Sequence, residues 1–257
     1  MFGIFDSGVG GLSVFRLLKE AFPEAGFIYL GDTAHFPYGE KSTEAIRDYA
    51  YKNTQFLLEK GAKVIVIACH TASALAADYL RTRFKDVPIY DVINPTIKQV
   101  LNSEIKRLGV IGTRATIDSK IYERKLKLKG KHIWIFPKAC PLLVSLIEEG
   151  WVKKPETFSI LKYYLSPLAN KKIESLILSC THYSLIESTI KKILDPRIEI
   201  IEPAKVLTKT LIIELDKTKI NQSNKDTEEF WVTDYPLKFE KLSKLFLGKK
   251  IKVQLLD

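Results

Sequence analysis

Short, almost wholly apolar runs alternate with longer amphipathic segments along nearly the whole chain. The runs predict strands at Phe2–Phe5, Phe27–Leu30, Lys63–Ala68, Ile89–Asp91, Arg107–Ile111, His132–Phe136, Ser175–Ser179, Ile198–Ile200, Glu228–Val232 and Ile251–Gln254. Helices are predicted between them at Leu12–Ala21, Ser42–Lys60, Ser73–Phe84, Pro95–Leu101, Ile117–Leu128, Pro155–Leu168 and Leu185–Leu194. Strands that are apolar at successive positions are covered on both faces, and repeated strand–helix alternation builds parallel sheets flanked by helices. The fold class is α/β.

The pattern is also duplicated. Phe2-Gly3-Ile4-Phe5-Asp6-Ser7 resembles Leu108-Gly109-Val110-Ile111-Gly112-Thr113, each a strand running into a small, hydroxyl-bearing turn. An apolar run ending in a cysteine follows each at a similar distance, at Cys69 and at Cys180. So long a repeat is not a solenoid; it implies two pseudo-symmetric α/β halves. Ligands of open parallel sheets bind beyond the carboxyl ends of the strands, so the two sheets are expected to face a central cleft. We expect a first domain of residues 1–94 plus 207–257 and a second of 95–206.

Composition narrows the class. With 46% hydrophobic and 27% charged residues, the 257-residue chain reads as a soluble globular enzyme. No apolar run reaches the roughly 18 residues of a membrane span. The first residues read directly as a strand, with no basic leader, so a cytoplasmic location is expected. Three widely spaced cysteines do not make a disulfide framework. The net charge of +10 comes from scattered lysines with no arginine-rich stripe, which reads as a solvated surface rather than a nucleic-acid site. That charge would still attract an anionic substrate.

The two cysteines carry the chemistry. Each ends a buried strand ahead of a helix-like segment, where amide N–H groups and the helix dipole stabilise a thiolate. One such thiol suggests a nucleophile; two, from related halves, suggest opposed acid and base. Three rivals stand beside this. Cys69, His70, Cys180 and His182 could form a tetrahedral zinc set, although adjacent Cys69 and His70 would struggle to aim at one ion. Cys180 with His182 could make a hydrolase pair, which leaves Cys69 idle. Both thiols could simply be buried. The turn Asp6-Ser7-Gly8-Val9-Gly10-Gly11 would let backbone amides approach an anion at a helix start, but it lacks the spacing of a nucleotide fingerprint. The loop Phe36-Pro37-Tyr38-Gly39 could present the Tyr38 amide and hydroxyl. Thr113 and Thr116 could cap a helix or bind a ligand. Cys140 reads as a buried small apolar residue.

Together these segments resemble the glutamate racemase family: Gly3 to Gly11, Tyr29 to Ala34, Pro37-Tyr38-Gly39, Ala68-Cys69 with Thr71 to Ala74, Gly112-Thr113 with Ala115-Thr116, Glu148-Glu149-Gly150 and Cys180-Thr181-His182-Tyr183. The last third adds only a compatible α/β pattern. The resemblance implies a cofactor-independent isomerase that interconverts L- and D-glutamate and supplies D-glutamate for peptidoglycan. Cys69 and Cys180 match the two proton-transferring thiols, Asp6 and His182 the groups assisting each, and Glu148 an acidic helper near the second. Asp6, Ser7, Pro37, Tyr38, Gly39, Cys69, His70, Thr71, Thr113, Thr116, Cys180, Thr181 and His182 match the substrate-binding set. The implied partner is the small molecule glutamate, with no metal or cofactor; composition argues against a membrane or nucleic-acid partner, and the sequence leaves open whether the chain forms a homodimer. Two departures stand out: His70 replaces the family's usual asparagine, and Ser179 and Ser184 replace glycine and proline. An imidazole has an unperturbed pKa of about 6.5, so His70 is expected to titrate in the working range. A racemase for another small acid, such as aspartate, or a binding protein of the same fold would be the alternatives.

Overall fold

The computed structural model describes residues 1–130, 132–215 and 227–256. In chain order the strands are β1 (Phe2–Asp6), β2 (Phe27–Gly31), β3 (Val64–Ile67), β4 (Ile89–Asp91), β5 (Arg107–Gly112), β6 (Trp134–Ala139), β7 (Ser175–Ser179), β8 (Glu199–Ile201), β9 (Glu228–Val232) and β10 (Gln254–Leu255). The helices are α1 (Leu12–Ala21), α2 (Thr43–Glu59), α3 (His70–Arg83), α4 (Ile93–Leu101), α5 (Arg114–Asp118), α6 (Ile121–Leu128), α7 (Leu142–Glu148), α8 (Pro155–Asn170), α9 (Glu187–Ile193), α10 (Pro203–Glu214) and α11 (Pro236–Leu247).

The strands form two sheets, ordered β10-β9-β2-β1-β3-β4 and β6-β5-β7-β8. Every pairing in both is parallel. The order β2-β1-β3-β4 repeats as β6-β5-β7-β8, which is the duplication seen in the sequence. β1, β2, β3 and β7 are buried at every position, as their continuous apolar runs require. One apolar cluster runs from Ile4, Phe15 and Phe27 of the first sheet layer to Val110 and Ile177 of the second, so the two halves share a core.

Several elements depart from expectation. The segment predicted as one helix over Ile117–Leu128 is two, α5 and α6, because Lys120 adopts a left-handed conformation (φ 51°). Ser119 supports the break, donating to the Thr116 carbonyl and accepting from the Ile121 amide. Helices α7, α10 and α11 lie where no helix was expected; Pro141, Pro203 and Pro236 stand at their starts, where the missing N–H costs nothing. β6 begins at Trp134 and runs through Pro137, which an edge strand tolerates.

Candidate active site

The turns after β1, β3 and β7 and the loop after β2 converge on one small cavity of about 30 Å³. Among the residues singled out from the sequence, Ser7, Pro37, Tyr38, Gly39, Cys69, His70, Thr71, Thr113, Cys180, Thr181 and His182 line it. Phe36 and Val144 complete the wall. Val144 lies on α7, and without that helix nothing in the sequence points to it. Asp6, Thr116 and Glu148 stand one layer behind: Asp6 receives the Thr181 hydroxyl at 3.5 Å, Thr116 bonds Thr113 at 2.9 Å, and Glu148 bonds His182.

The cysteines hold equivalent places. Cys69 follows β3 and caps α3; Cys180 follows β7 and precedes a short 3-10 segment, Thr181–Ile186. Both are buried, at 5% and 8% exposure, and both are free thiols. Cys69 Sγ lies 3.7 Å from Ser7 Oγ, and Cys180 Sγ 3.9 Å from His182 Nδ1. The other ring nitrogen, His182 Nε2, faces Glu148 Oε1 at 3.1 Å. A relay therefore runs Cys180, His182, Glu148.

The electrostatics overturn one expectation. Helix and amide donors were expected to stabilise thiolates, but loss of water dominates. Burial first, and the nearby Asp6 charge second, push the Cys69 thiol up to about 12 despite bonds from the Ala72 and Ser7 amides. Cys180 is likewise pushed far up, mainly by burial. Only Cys69 caps a full helix, so dipole support is unequal as well. Burial also raises the Asp6 carboxyl to about 6, opposed by His182 and by the Gly8 and Gly11 amides.

His70 departs further. Burial holds its imidazole down to about 3, so it is neutral throughout the working range rather than titrating there. Both ring nitrogens are buried with no hydrogen-bond partner, in the wall of the cavity. Such orphaned polar groups are costly unless a ligand or water meets them.

The Tyr38 hydroxyl does not face the cavity as a donor. It donates to Asp32 Oδ2 and accepts from Asn53 Nδ2 at 3.1 Å. Asp32 Oδ1 is engaged by His35 Nδ1 at 2.8 Å and by the Thr233 hydroxyl at 2.9 Å. The Tyr38 hydroxyl thus anchors its loop, while the residue still lines the site with Pro37 and Gly39. Thr113 caps α5, as the capping alternative required, and its hydroxyl also joins a ring with Thr71 (3.0 Å) and Thr116. Thr71 and Thr116 close that ring at 3.2 Å, joining the two halves across the cavity.

The glycine-rich turn also has a packing use. A Cβ at Gly10 would lie 2.3 Å from Thr181 Oγ1 and 2.5 Å from His182 Nδ1, so the second half packs against bare backbone there. At Gly39 a Cβ would meet that of Thr113 at 2.9 Å. These glycines permit the closeness of the two halves. Cys140 is fully buried, its Sγ 3.5 Å from the Lys138 carbonyl. Among the described residues no group of three or more His, Cys, Asp or Glu side chains could hold a metal ion, and no helix is long and apolar enough to cross a membrane.

This architecture has relatives. The glutamate racemase of Persephonella marina is 40% identical over 256 residues, covering 99% of this chain and 96% of that protein. That of Chlorobaculum tepidum is 39% identical, covering 97% and 93%. The crystal structure of glutamate racemase from Francisella tularensis subsp. tularensis in complex with D-glutamate superposes with a TM-score of 0.92 at 37% identity, covering 100% of this chain and 97% of that one. Residues 10–211 match the Asp/Glu/hydantoin racemase family as a whole. Fold, paired cysteines and full-length similarity agree: the chain belongs to the Asp/Glu/hydantoin racemase family.

Proposed function

We propose that the protein interconverts L- and D-glutamate by proton transfer between two thiols, without cofactor or metal, and supplies D-glutamate for peptidoglycan. One observation carries the reading: two free, buried cysteines, delivered by equivalent strands of the two halves, share one cavity. The chain divides in this reading into residues 1–94 with 207–257 and residues 95–206, with the site between them; residues 216–226 lie outside the described residues. The substrate of the named relatives supports glutamate as the amino acid.

Removing an α-proton from an amino acid with no electron sink demands a strong base and stabilisation of the developing charge. Burial serves the first need. A thiol held at about 12 is rarely ionised, but its thiolate is a correspondingly stronger base than an exposed one. The incoming α-ammonium supplies positive charge to a cavity lined by no lysine or arginine. Cys69 then removes the proton of D-glutamate and Cys180 that of L-glutamate, while the opposite thiol delivers a proton to the far face. Asp6 assists Cys69, and His182 with Glu148 assists Cys180. Ser7, Thr71, Thr113, Thr116, Thr181 and the Pro37-Tyr38-Gly39 loop hold the substrate, and the unpaired ring nitrogens of His70 serve as one neutral donor and one acceptor for it.

Circular-dichroism detection of racemisation tests this, using purified protein with a panel of L-amino acids and nothing added. Glutamate should lose its optical signal fastest. Turnover of aspartate in preference to glutamate, or dependence on added pyridoxal phosphate, would overturn the assignment.

A further inference from the structure

Helix α11 belongs to none of the motifs that carry the family resemblance, yet it reaches the relay behind Cys180. Lys238 Nζ lies 3.6 Å from Glu148 Oε2, while Oε1 of the same carboxylate faces His182 Nε2 at 3.1 Å. Phe246, further along α11, packs edge-on against the His182 ring, centroids 5.6 Å apart at 84°. The start of the helix is fixed to the first half, the Asp234 amide donating to Thr33 Oγ1 at 2.9 Å. One helix from the first half thus touches both the imidazole and the carboxylate of the second.

The position of Lys238 is not what helix stability favours. It lies in the first turn, which carries no acidic residue, and a cation there opposes the helix dipole. Its ammonium is largely in water, whereas Glu148 is 9% exposed. A pair so exposed on one side contributes little to stability. Its geometric effect is larger, because Glu148 uses one oxygen for Lys238 and the other for His182.

We propose that Lys238 is a positioning residue for proton transfer at Cys180. Held through Oε2, the Glu148 carboxylate keeps Oε1 on His182 Nε2, which in turn keeps His182 Nδ1 against the Cys180 sulfur. Phe246 restrains the ring from its side. The inference rests on the proposed role of His182 as the partner of Cys180. It places a determinant of one thiol on the other half of the molecule.

Lys238→Met and Lys238→Arg test it in the full-length protein. A racemase has an equilibrium constant of unity, so kcat/KM is tied between the two directions, and a defect at one thiol shows in kcat and in isotope effects instead. With α-deuterated L-glutamate the primary isotope effect on kcat reports abstraction by Cys180; with α-deuterated D-glutamate it reports abstraction by Cys69. Lys238→Met should lower kcat by about tenfold, short of the ~10²-fold that a 1 Å misplacement costs. Its isotope effect should rise for L-glutamate and not for D-glutamate, at an unchanged unfolding temperature. Lys238→Arg should restore most of the rate. Equal changes for both enantiomers, or a wild-type rate in Lys238→Met, would overturn the proposal. Wild-type protein that fails to racemise glutamate would instead defeat the underlying function, and is measured first.

Discussion

Gly10→Ala adds one methyl group at the seam between the two halves. The Gly10 backbone is not among those with positive φ, so alanine is locally admissible and the effect is one of space. The new Cβ would lie 2.3 Å from Thr181 Oγ1, 2.5 Å from His182 Nδ1 and 2.6 Å from His182 Cε1. Real Cβ contacts essentially never fall below 3.0 Å, so the hydroxyl must retreat by about 0.7 Å and the ring by about 0.5 Å. Neither group is a free end. The Thr181 hydroxyl is held by Asp6 and the Thr181 carbonyl by the Ser13 hydroxyl, at 3.5 and 3.2 Å, and His182 is pinned between Cys180 and Glu148. Overpacking of this kind costs about 1–3 kcal/mol, which in a chain of this size lowers the unfolding temperature by roughly 2–4 °C per kcal/mol. Catalysis suffers more, because a 1 Å misplacement of a catalytic group costs ~10²-fold and the ring must move about half of that. We therefore expect a folded variant with racemisation slowed by about tenfold or more, followed by circular dichroism beside a thermal melt. Gly10→Ala with wild-type kcat and unfolding temperature would refute the close packing of Thr181 and His182 on this turn.

Two further outcomes follow from the same geometry. Cys69→Ala and Cys180→Ala should each lose at least the ~10²-fold that general acid–base catalysis contributes, whereas Cys140→Ala, outside the site cavity, should keep most activity in the optical assay. His70→Asn should leave glutamate as the substrate and leave the pH–rate profile between about pH 5 and 8 unaltered, since the native imidazole is already neutral there. Its stability should change with pH in a definite sense. Below about pH 6.5 the unfolded wild-type chain takes up a proton that folded His70 refuses until about pH 3, so wild-type stability falls across that window. His70→Asn lacks this loss, and denaturant melts at pH 7 and pH 5 should show a smaller drop for the variant. An equal drop in both proteins would contradict the burial of an unpaired His70.

Much of the fold was legible because it is written in local pattern. The buried strands are continuous apolar runs, and the Cys69 and Cys180 strands match because both halves keep the same order of elements. Other elements were not legible: α7, α10 and α11 start at Pro141, Pro203 and Pro236, and β6 runs through Pro137 at a sheet edge. The site was legible as a set of residue types and less so as a set of directions. Nothing local reveals that the Tyr38 hydroxyl turns away to Asp32, or that Gly10 is bare for the sake of Thr181 and His182. The thiol environment was misjudged for a related reason. Helix and amide donors can be read from neighbouring residues, but the water lost by burial depends on the opposite wall of the cavity. Lys238 and Glu148 are far apart in sequence, and only the folded chain brings them together.

The central claim is that two thiols act on opposite faces of one α-carbon, and racemisation of L-glutamate in D2O tests it most directly. Proton and deuterium content at the α-carbon would be read by NMR in the separated enantiomers at low conversion. Transfer between two thiols requires that newly formed D-glutamate carry solvent deuterium while the remaining L-glutamate still carries its original proton. L-glutamate that gains deuterium as fast as D-glutamate forms, or D-glutamate that retains the substrate's own proton, would mean that a single base serves both faces, contrary to the paired roles of Cys69 and Cys180.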